Sequence, residues 1–409
     1  MAEQGTFRLL IAGIASSPQT FLDRLIQGLA DAGVEVTVGC PKRPHRRGVK
    51  WLPMPSWEGA VSLRLLRLAS ISARALVHAP GNVRRFARHI RRSKGSLAYP
   101  REWNDLLPFA GRCWDVIHFP WNENAIAHLP VFELGCPVVV SCRGREINVV
   151  PYNPKRSDIH AGLRLTFQRA AAIHCVSDAI AQEAMRYDLV PEKVWVIRPA
   201  IDPNSFSPTA KRGPENGILR IMTTGSLIWR KGYEYALQVV RLLCNAGVPV
   251  HFDIIGDGPE RGRVLYTVQD MRLEEVVHLH GHCSPDEVPP LLQQADVFVL
   301  SSLSEGISDA VLEAMACGLP IVTTDCGGMR EVVTDGVEGF VVPVRAPEAM
   351  AKAVMQLAEN ATLRRQMGEA GRARVLREFS LDQQVEQWMQ LYRAVMAKKF
   401  DTIRAPYAQ

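Results

Sequence analysis

The sequence predicts an α/β protein with two doubly wound parallel sheets, because short apolar runs alternate with helical segments along the chain. The runs are rich in Val, Ile and Leu and are mostly continuous, as expected of parallel strands buried on both faces. With 409 residues, the chain is long enough for two domains. Its hydrophobic fraction of 47% and charged fraction of 22% exclude a mostly disordered or fibrous protein.

The apolar runs place the predicted strands in two groups, separated by a linker. Strands are predicted at 8–14, 34–39, 138–142, 194–197, 218–223, 250–255, 276–280, 297–300, 321–324 and 339–344. Helices are predicted at 20–32, 178–187, 233–246, 286–294 and 309–317. The segment 199–217 contains four prolines and two glycines with little apolar periodicity, which is typical of a linker.

Three parts of the chain follow from this division. We predict a first domain over 1–203, a second domain over 204–380 and a final helix over 381–409. Trp388 and Tyr392 belong to one apolar face of that helix, which is expected to pack back on the first domain. Ligands of such sheets bind beyond the carboxyl ends of the strands, so an interdomain cleft is expected.

The segment 59–101 has an unusual charge, with ten Arg or Lys residues and no Asp or Glu. Apolar residues are interleaved with these cations, as in amphipathic helices that bind anionic membranes. A lipid-linked acceptor would fit the same surface. The alternative is a solvated pair of basic helices that covers the first domain. Nucleic acid is not expected as a partner, because no binding motif accompanies the charge.

The cysteines and the amino-terminal run indicate a cytoplasmic protein. Nine cysteines are present, and no two have C-x-x-C spacing, so neither a disulfide framework nor a zinc site is expected. The apolar run 9–15 lacks a strongly basic leader and is interpreted as a buried strand rather than a signal peptide. No run approaches the length of about 20 apolar residues that a membrane-spanning helix needs. Peripheral attachment to the inner face of a membrane remains compatible with these features.

The segment 301–320 carries the first chemical pattern. A predicted strand ends before it, Glu305 lies in the following loop, and Ser308 precedes a helix that contains Glu313. The amino end of a helix presents free N–H groups to a phosphate or sugar oxygen. The two carboxylates accept hydrogen bonds from hydroxyl pairs, so a sugar and a ribose are plausible ligands. Compensation of the helix dipole explains Glu305 in part but explains Glu313 poorly.

A second pattern occupies the loop Gly225-Ser226-Leu-Ile-Trp-Arg230-Lys231, between a predicted strand and a helix. Two adjacent cations beside a glycine turn fit a diphosphate and would stabilise its departure. A solvated pair at a loop tip is the equal alternative. Gly256 follows the next strand in a similar turn, which is a weak signal alone. The dinucleotide fingerprint, the Walker loop and an Asp-x-Asp metal pair are absent from the sequence.

Together these motifs resemble family 4 of the retaining glycosyltransferases, which have the GT-B fold. Glu305-x7-Glu313 lies within S-E-G-I-S-D-A-V-L-E-A-M-A-C-G-L-P, which matches the signature of that family closely. The segments G-S-L-I-W-R-K-G and I-I-G-D-G-P lie before this motif and G-G-M-R-E-V-V lies after it, in the order and spacing of the family. The resemblance is strong over about 194–345 and weaker over 1–193. The loop around Ser17 resembles that of members that build exopolysaccharide or lipopolysaccharide.

The resemblance implies a nucleotide-sugar donor bound by the second domain and a glycan or lipid-linked acceptor bound by the first. Arg230 and Lys231 would hold the diphosphate, Glu313 would accept from the ribose, and Glu305 would accept from the donor sugar. The expected reaction needs neither metal nor cofactor and retains the anomeric configuration. The backbone lining of the donor would come from Gly225, Ser226, Gly256, Gly306, Ile307 and Ser308.

The chain departs from the family pattern at three places. Ser226 stands where the family usually has a phosphate-binding arginine, which Arg230 would replace. His118 matches the first histidine of a pair, whose second member is Pro120 here, so His118 is either catalytic or structural. The first loop, which contains Ser17, lacks the family's usual paired glycines. Ser17 and Arg143 follow first-domain strands and are predicted to contact the acceptor. The rival functions are a nucleotide-sugar epimerase or a phosphorylase of the same fold, and a non-catalytic basic scaffold on membranes.

Overall fold

The chain forms two compact units, each with its own parallel sheet. This computed structural model describes residues 6–14, 19–44, 46–54, 61–94, 100–209 and 217–404. The first unit contains the residues up to Val176, Ala181–Ile197, and the residues from Val385 onward. The second unit contains Ser177–Ile180 and Arg198–Gln384. The predicted α/β class with two doubly wound sheets is confirmed.

The sheet of the first unit is parallel throughout its described part. Its strands are β1 (Arg8–Ile11), β2 (Glu35–Cys40), β3 (Lys50–Pro53), β4 (Val116–Phe119), β5 (Val138–Cys142), β6 (Ala172–Cys175) and β7 (Val194–Val196). They lie in the order β3-β2-β1-β4-β5-β6-β7. The direction of winding reverses between β1 and β4, so their carboxyl ends form the switch point where ligands of such sheets bind.

The sheet of the second unit repeats this plan. Its strands are β8 (Leu219–Thr224), β9 (Val250–Ile255), β10 (Val277–Gly281), β11 (Val297–Leu300), β12 (Ile321–Thr324) and β13 (Gly339–Val342). The order β10-β9-β8-β11-β12-β13 places the switch point between β8 and β11. The pattern with Arg230 and Lys231 follows β8, and the pattern with Glu305 follows β11. The topology therefore brings these two patterns to one edge of the sheet.

Helices connect the strands on both sides of each sheet. Those between β1 and β7 are α1 (Thr20–Asp31), α2 (Val61–His78), α3 (Pro80–Lys94), α4 (Pro100–Ala110), α5 (Asn122–Ala127), α6 (Arg145–Asn148), α7 (Ile159–Arg169) and α8 (Asp178–Met185). Those after β8 are α9 (Tyr233–Asn245), α10 (Arg261–Asp270), α11 (Val288–Leu292), α12 (Asp309–Ala316), α13 (Pro347–Glu359), α14 (Ala361–Glu378) and α15 (Leu381–Arg404).

Strand β11 shows why the central runs are continuously apolar. Val297 and Val299 belong to one buried cluster, which includes α9 and α13. Phe298 and Leu300 point to the other face, into a cluster formed with α12 and α14. Because successive side chains of a strand alternate between faces, a strand covered on both sides needs apolar residues at every position.

Residues 61–94 of the basic segment contain the helices α2 and α3, which lie in the first unit. Phe86 and Ile90 of α3 are buried, whereas its arginines point to solvent. The exposed arginines of these two helices, among the side chains that the structure describes, are Arg74, Arg84, Arg85, Arg88, Arg91 and Arg92. Leu76 and Val77, at the end of α2, are also exposed, to 55% and 76%.

Three strands, β3, β4 and β6, were missing from the sequence-based prediction. Strand β4 contains His118, a buried histidine that interrupts its short apolar run. Strand β3 is a four-residue edge strand with polar and aromatic residues, so it lacks an apolar run. Strand β6 contains His174, which interrupts the apolar pattern, although this histidine is buried. None of the nine cysteines, all of which lie in the described residues, forms a disulfide bond.

Candidate functional site

The loops that follow β8 and β11 meet at the switch point of the second unit. The backbone N–H of Leu303 donates to the carbonyl of Arg230 at 2.7 Å, and the Ser301 hydroxyl donates to the carbonyl of Lys231 at 3.0 Å. Gly232 adopts a φ of +62°, and a Cβ there would lie 2.4 Å from the Ser301 carbonyl oxygen. Position 232 therefore requires glycine. The hydrogen bonds to the main-chain carbonyls of Arg230 and Lys231 hold the two loops together.

A buried ion pair lies where these loops meet. Lys231 Nζ is 2.5 Å from Glu305 Oε1, which also accepts a hydrogen bond of 2.7 Å from the Ser302 hydroxyl. Arg230 Nη1 approaches the other carboxylate oxygen at 3.9 Å. The side chains of Glu305, Lys231 and Arg230 are 7%, 14% and 21% exposed. One carboxylate thus faces two cations, which leaves an excess of positive charge.

The electrostatics keep Glu305 ionised. Burial, the largest single influence, would raise the pKa of Glu305. The charge and hydrogen bond of Lys231, the charge of Arg230 and the Ser302 hydroxyl together outweigh burial and lower this pKa below its usual value. Glu305 is therefore a carboxylate at neutral pH, in direct contact with both Lys231 and Ser302.

Arg230 carries a polar atom that the fold does not satisfy. Its Nε is buried and makes no hydrogen bond with any residue that the structure describes, while its Nη1 reaches the Ser304 carbonyl at 3.5 Å. A buried guanidinium N–H without an acceptor costs free energy. An anionic ligand such as a phosphate oxygen satisfies such a donor well.

Two glycines allow the loops after β8 and β9 to touch through their backbones. Gly225 has a φ of +151° and Gly256 has a φ of +144°, and a Cβ on Gly256 would lie only 2.0 Å from the Gly225 carbonyl oxygen. The Tyr233 hydroxyl donates to that same oxygen at 2.8 Å. The amide groups of Gly225 and Gly256 are used within the sheet, on Ile255 and Gly281. The predicted donor-binding role of both residues is thus limited to making room for a ligand.

The loop before α12 places the remaining donor-binding candidates. Gly306 accepts a hydrogen bond of 2.7 Å from the Gly328 amide, and Ile307 and Ser308 are buried. Ser308 is the residue that precedes α12, and its side chain forms no capping hydrogen bond to that helix. Glu313 lies half-buried one turn inside α12. Ser226, by contrast, is exposed at the rim of its loop.

In the first unit, His118 lies in a buried chain of hydrogen bonds. The Tyr392 hydroxyl is 2.9 Å from His118 Nδ1, and the Ser141 hydroxyl is 2.8 Å from both His118 Nε2 and His174 Nδ1. His174 Nε2 then reaches the Ile197 carbonyl at 2.8 Å. Trp388 lies against both imidazole rings, with centroid distances of 4.7 and 4.4 Å.

Burial determines the protonation of this chain. It lowers the pKa of His118 well below its usual value, helped by His174 and Arg143, and lowers that of His174 to about 3. Both rings are therefore neutral. Because a carbonyl only accepts, His174 donates to Ile197 and accepts from Ser141, which in turn accepts from His118. His118 then accepts from Tyr392. With both ring nitrogens occupied and no exposed surface, His118 fits the structural alternative better than the catalytic one.

Arg143 follows β5 and forms a cluster that the sequence did not predict. Its guanidinium lies 4.2 Å from the centre of the Phe21 ring, and its Nε donates to the Pro120 carbonyl at 3.1 Å. Phe21 also meets Trp121 edge-on, at a centroid distance of 6.3 Å. Phe21, in the first turn of α1, and Trp121, just before α5, were not identified from the sequence, since a single aromatic residue carries no spacing signal. Ser17 lies outside the described residues.

Two family models match the chain, one in each half. The model described as "Glycosyltransferase Family 4" matches residues 18–205, and the model described as "Glycosyl transferases group 1" matches residues 210–374. The two matches together span most of the sequence. The chain belongs to glycosyltransferase family 4.

Curated relatives of this glycosyltransferase include proteins named for exopolysaccharide synthesis. It is 33% identical over 192 residues to the putative colanic acid biosynthesis glycosyltransferase WcaL of Escherichia coli, a match that covers 46% of this chain and 47% of the relative. It is 32% identical over 195 residues to the amylovoran biosynthesis glycosyltransferase AmsK of Erwinia amylovora, with 46% and 48% covered. The matched part of the chain thus spans about half the length of these relatives.

Solved structures confirm the fold of the glycosyltransferase. HepE of Anabaena, solved in complex with UDP, has a TM-score of 0.68 at 15% identity and covers 95% of this chain and 100% of its own. Sucrose-phosphate synthase of Thermosynechococcus elongatus has a TM-score of 0.73 at 18% identity, with 96% and 100% covered. At these identities the similarity concerns the fold alone, which is the predicted GT-B class.

The site of the glycosyltransferase contains most of the residues that the sequence predicted for the donor. Glu305, Arg230 and Lys231 come together, and Gly225 and Gly256 meet beside them. The sequence did not identify Ser302 or Tyr233, although Ser302 lies in the same motif. No three His, Cys, Asp or Glu residues of the described chain are arranged to hold a metal ion. None of its described helices is both long enough and apolar enough to cross a bilayer.

Proposed function

We propose that this glycosyltransferase moves a sugar from a nucleoside-diphosphate sugar to a glycan or lipid-linked acceptor. The observation that carries the proposal is the buried Lys231–Glu305 pair beside Arg230, whose Nε is unsatisfied. An excess of fixed positive charge in a site with little water attracts a diphosphate strongly. The names of the relatives, which refer to polysaccharide synthesis, support a glycan acceptor.

Each charged residue has a stated role in the proposed reaction. Arg230 and Lys231 bind the diphosphate and stabilise the charge that develops when the bond from the sugar to the diphosphate breaks. Glu305 holds Lys231 in place and accepts a hydrogen bond from the donor sugar, while Glu313 accepts from the ribose. The acceptor hydroxyl forms the new bond on the face that the diphosphate leaves, so the anomeric configuration is retained. We propose that the reaction needs no metal ion, because Arg230 and Lys231 stabilise the negative charge on the leaving diphosphate.

A binding screen tests the donor. The protein is heated with UDP-, GDP- and ADP-sugars, with and without EDTA, and its unfolding temperature is recorded. A ligand present at about 100 times its dissociation constant adds about 2.7 kcal/mol to the free energy of unfolding. We expect one nucleotide-sugar to raise the unfolding temperature, and EDTA to leave that increase unchanged. Loss of the increase with EDTA would contradict metal independence, and no increase with any donor would contradict the donor assignment.

A product analysis tests the transfer. The donor named by the screen is incubated with oligosaccharide acceptors, and the anomeric proton of the product is observed by NMR. A new glycosidic bond with the donor's configuration is expected. An inverted product would contradict retention, and a change of the donor without any acceptor would indicate the epimerase.

We also propose that the helices α2 and α3 attach the enzyme to an anionic membrane from the cytoplasmic side. Five exposed arginines on α3, together with the exposed Leu76 and Val77, combine positive charge with apolar surface. Each cation near an anionic surface contributes about 1 kcal/mol to binding. This arrangement would bring the enzyme to a lipid-linked acceptor.

Flotation with vesicles tests the membrane proposal. The vesicles contain phosphatidylglycerol, and the variant replaces Arg84, Arg88, Arg91 and Arg92 by glutamate. We expect this variant to stay in solution, while the matched variant with four lysines floats with the vesicles. Equal flotation of the glutamate and lysine variants would show that these helices are a solvated face.

A further inference from the structure

Trp229 is an exposed tryptophan at the entrance to the charged site. It begins the 3-10 turn Trp229–Lys231 and is 50% exposed. Its indole N–H forms no hydrogen bond with any residue that the structure describes. Large aromatic residues are mostly buried in a stable domain, as Phe252 and Phe298 are in this unit. The fold of the second unit therefore does not use much of this side chain.

The backbone around Trp229 is held firmly on both sides. On one side, the Leu227 amide donates to the Asp257 carbonyl at 3.0 Å, and the Leu227 carbonyl accepts from Glu260 at 2.9 Å. On the other side, the Arg230 carbonyl accepts from Leu303 at 2.7 Å. The Trp229 carbonyl itself accepts from Gly232 at 3.1 Å. The tryptophan is thus presented by an ordered turn, so a ligand that covers it need not first order the loop.

Exposure increases along this turn away from the ion pair. The side chain of Lys231 is 14% exposed, that of Arg230 is 21% exposed, and Trp229 is 50% exposed. If the diphosphate lies on the two inner cations, the ligand group that meets the tryptophan lies farther out. An indole ring offers a flat apolar face and one N–H donor. A pyranose ring matches it, with C–H groups on one face and hydroxyls at its edge.

We propose that Trp229 is the stacking platform for a pyranose ring of the acceptor glycan. The inference rests on the proposed transfer reaction and adds the residue that recognises the acceptor in the second unit. Its apolar face covers the C–H side of the sugar, and its N–H donates to a sugar hydroxyl. Trp229 is a binding residue and takes no part in bond breaking.

Fluorine NMR of the full chain with 5-fluorotryptophan gives a direct test. The chain has eight tryptophans, and the Trp229 signal is assigned as the one that disappears in Trp229→Phe. The probes are UDP, GDP and ADP, and p-nitrophenyl pyranosides of glucose, galactose, mannose and fucose in the presence of the nucleotide that binds. We expect the Trp229 signal to shift with a pyranoside. A shift with nucleotide alone would make Trp229 a base platform and overturn the proposal, as would no shift with any pyranoside.

Kinetics separate this inference from the proposed function. In Trp229→Ala, we expect the KM for the acceptor to rise by about tenfold or more, while nucleotide affinity and donor hydrolysis without acceptor stay at wild-type values. Trp229→Phe keeps an aromatic face and should restore most of the acceptor affinity, whereas Trp229→Leu should not. The matched control is Tyr266→Ala, which removes an aromatic residue of α10 that is 68% exposed.

The outcomes of the kinetic test are distinct. If the wild-type enzyme transfers sugar and Trp229→Ala keeps the wild-type KM for the acceptor, the inference is wrong and the proposed function stands. If the wild-type enzyme transfers sugar to no acceptor, both are wrong. If Trp229→Leu restores the KM as well as phenylalanine does, the site needs only bulk, and a stacking platform is excluded.

Discussion

Each unit contains a polar cluster with little exposure to solvent, but the two clusters satisfy their groups in opposite ways. In the second unit, Glu305 and Lys231 are charged and meet at 2.5 Å, with a second cation nearby. In the first unit, His118 and His174 are neutral, and each nitrogen has a partner. A closed neutral chain is suited to holding elements together, whereas a site with excess charge and an unsatisfied donor is suited to binding a ligand. The difference shows that burial alone does not mark a functional residue.

The largest effect is expected when the ion pair is broken from one side. Lys231→Met leaves the Glu305 carboxylate buried without its main partner, which typically costs about 3–5 kcal/mol of stability. The pKa of Glu305 should then rise, because burial is no longer outweighed. Urea unfolding at pH 8 and the transfer rate measure the two effects.

The double variant Lys231→Met with Glu305→Gln serves as the control for this prediction. It removes both charges, so most of the stability should return while transfer stays lost. If the double variant were as unstable as the single one, the ion pair would not be the cause of the loss.

The second expected effect is a loss of stability in mild acid, caused by the buried neutral histidines. In the unfolded chain a histidine binds a proton below pH 6.5, whereas folded His174 does so only at about pH 3. The unfolded state therefore binds more protons in this window, and stability falls as the pH falls from 6.5. For His174 the loss should reach about 2 kcal/mol at pH 5. His118, His89 and His128, whose pKa values burial also lowers, act in the same direction.

The free energy of unfolding, measured at several pH values, checks that stability falls as the pH is lowered. Between pH 6.5 and 5, His174→Asn should show a shallower fall than the wild-type protein. Glu305, whose pKa lies below its ordinary value, contributes only below this window, whereas Glu146, whose pKa burial raises, acts against the fall. A curve for His174→Asn that parallels the wild type would exclude the histidine chain as the cause.

The smallest effect is expected at the end of the neutral chain. Tyr392→Phe removes only the hydroxyl that donates to His118 Nδ1 and leaves that buried acceptor unsatisfied, at a cost of about 1–3 kcal/mol. If His118 is structural, the folded variant should keep its transfer rate. A large loss of kcat at unchanged stability would return His118 to the catalytic residues.

The sequence predicts the second unit better than the first, for a physical reason. The charged site of the second unit is built from short contiguous motifs, with Arg230 and Lys231 in one and Glu305 in another, and each motif can be recognised before folding. The neutral chain in the first unit joins residues up to 274 positions apart, with no spacing between them that a sequence could reveal. Strand β6 escaped prediction for a related reason, since a buried histidine resembles a polar break until its partners are known.

Some predicted roles stay predictions, for two reasons. Ser17 lies outside the described residues, and the contacts of Glu313, Gly306 and Ser308 with a donor depend on a ligand. Phe21 shows the opposite case, because its contact with Arg143 is plain in the structure but left no trace in the sequence. Side chains that meet only through the fold need the fold to be found.

The membership of α15 from Val385 onward in the first unit has a consequence for synthesis on the ribosome. The sheet that holds His118 is translated early, but its last hydrogen-bond partner, Tyr392, emerges only after the entire second unit. In the nascent first unit, His118 therefore lacks its Tyr392 partner while about half of the protein is still being made. A ribosome that stalls before Val385 releases a chain whose second unit can be complete and whose first unit cannot. Such truncated products would be natural substrates for chaperones and proteases.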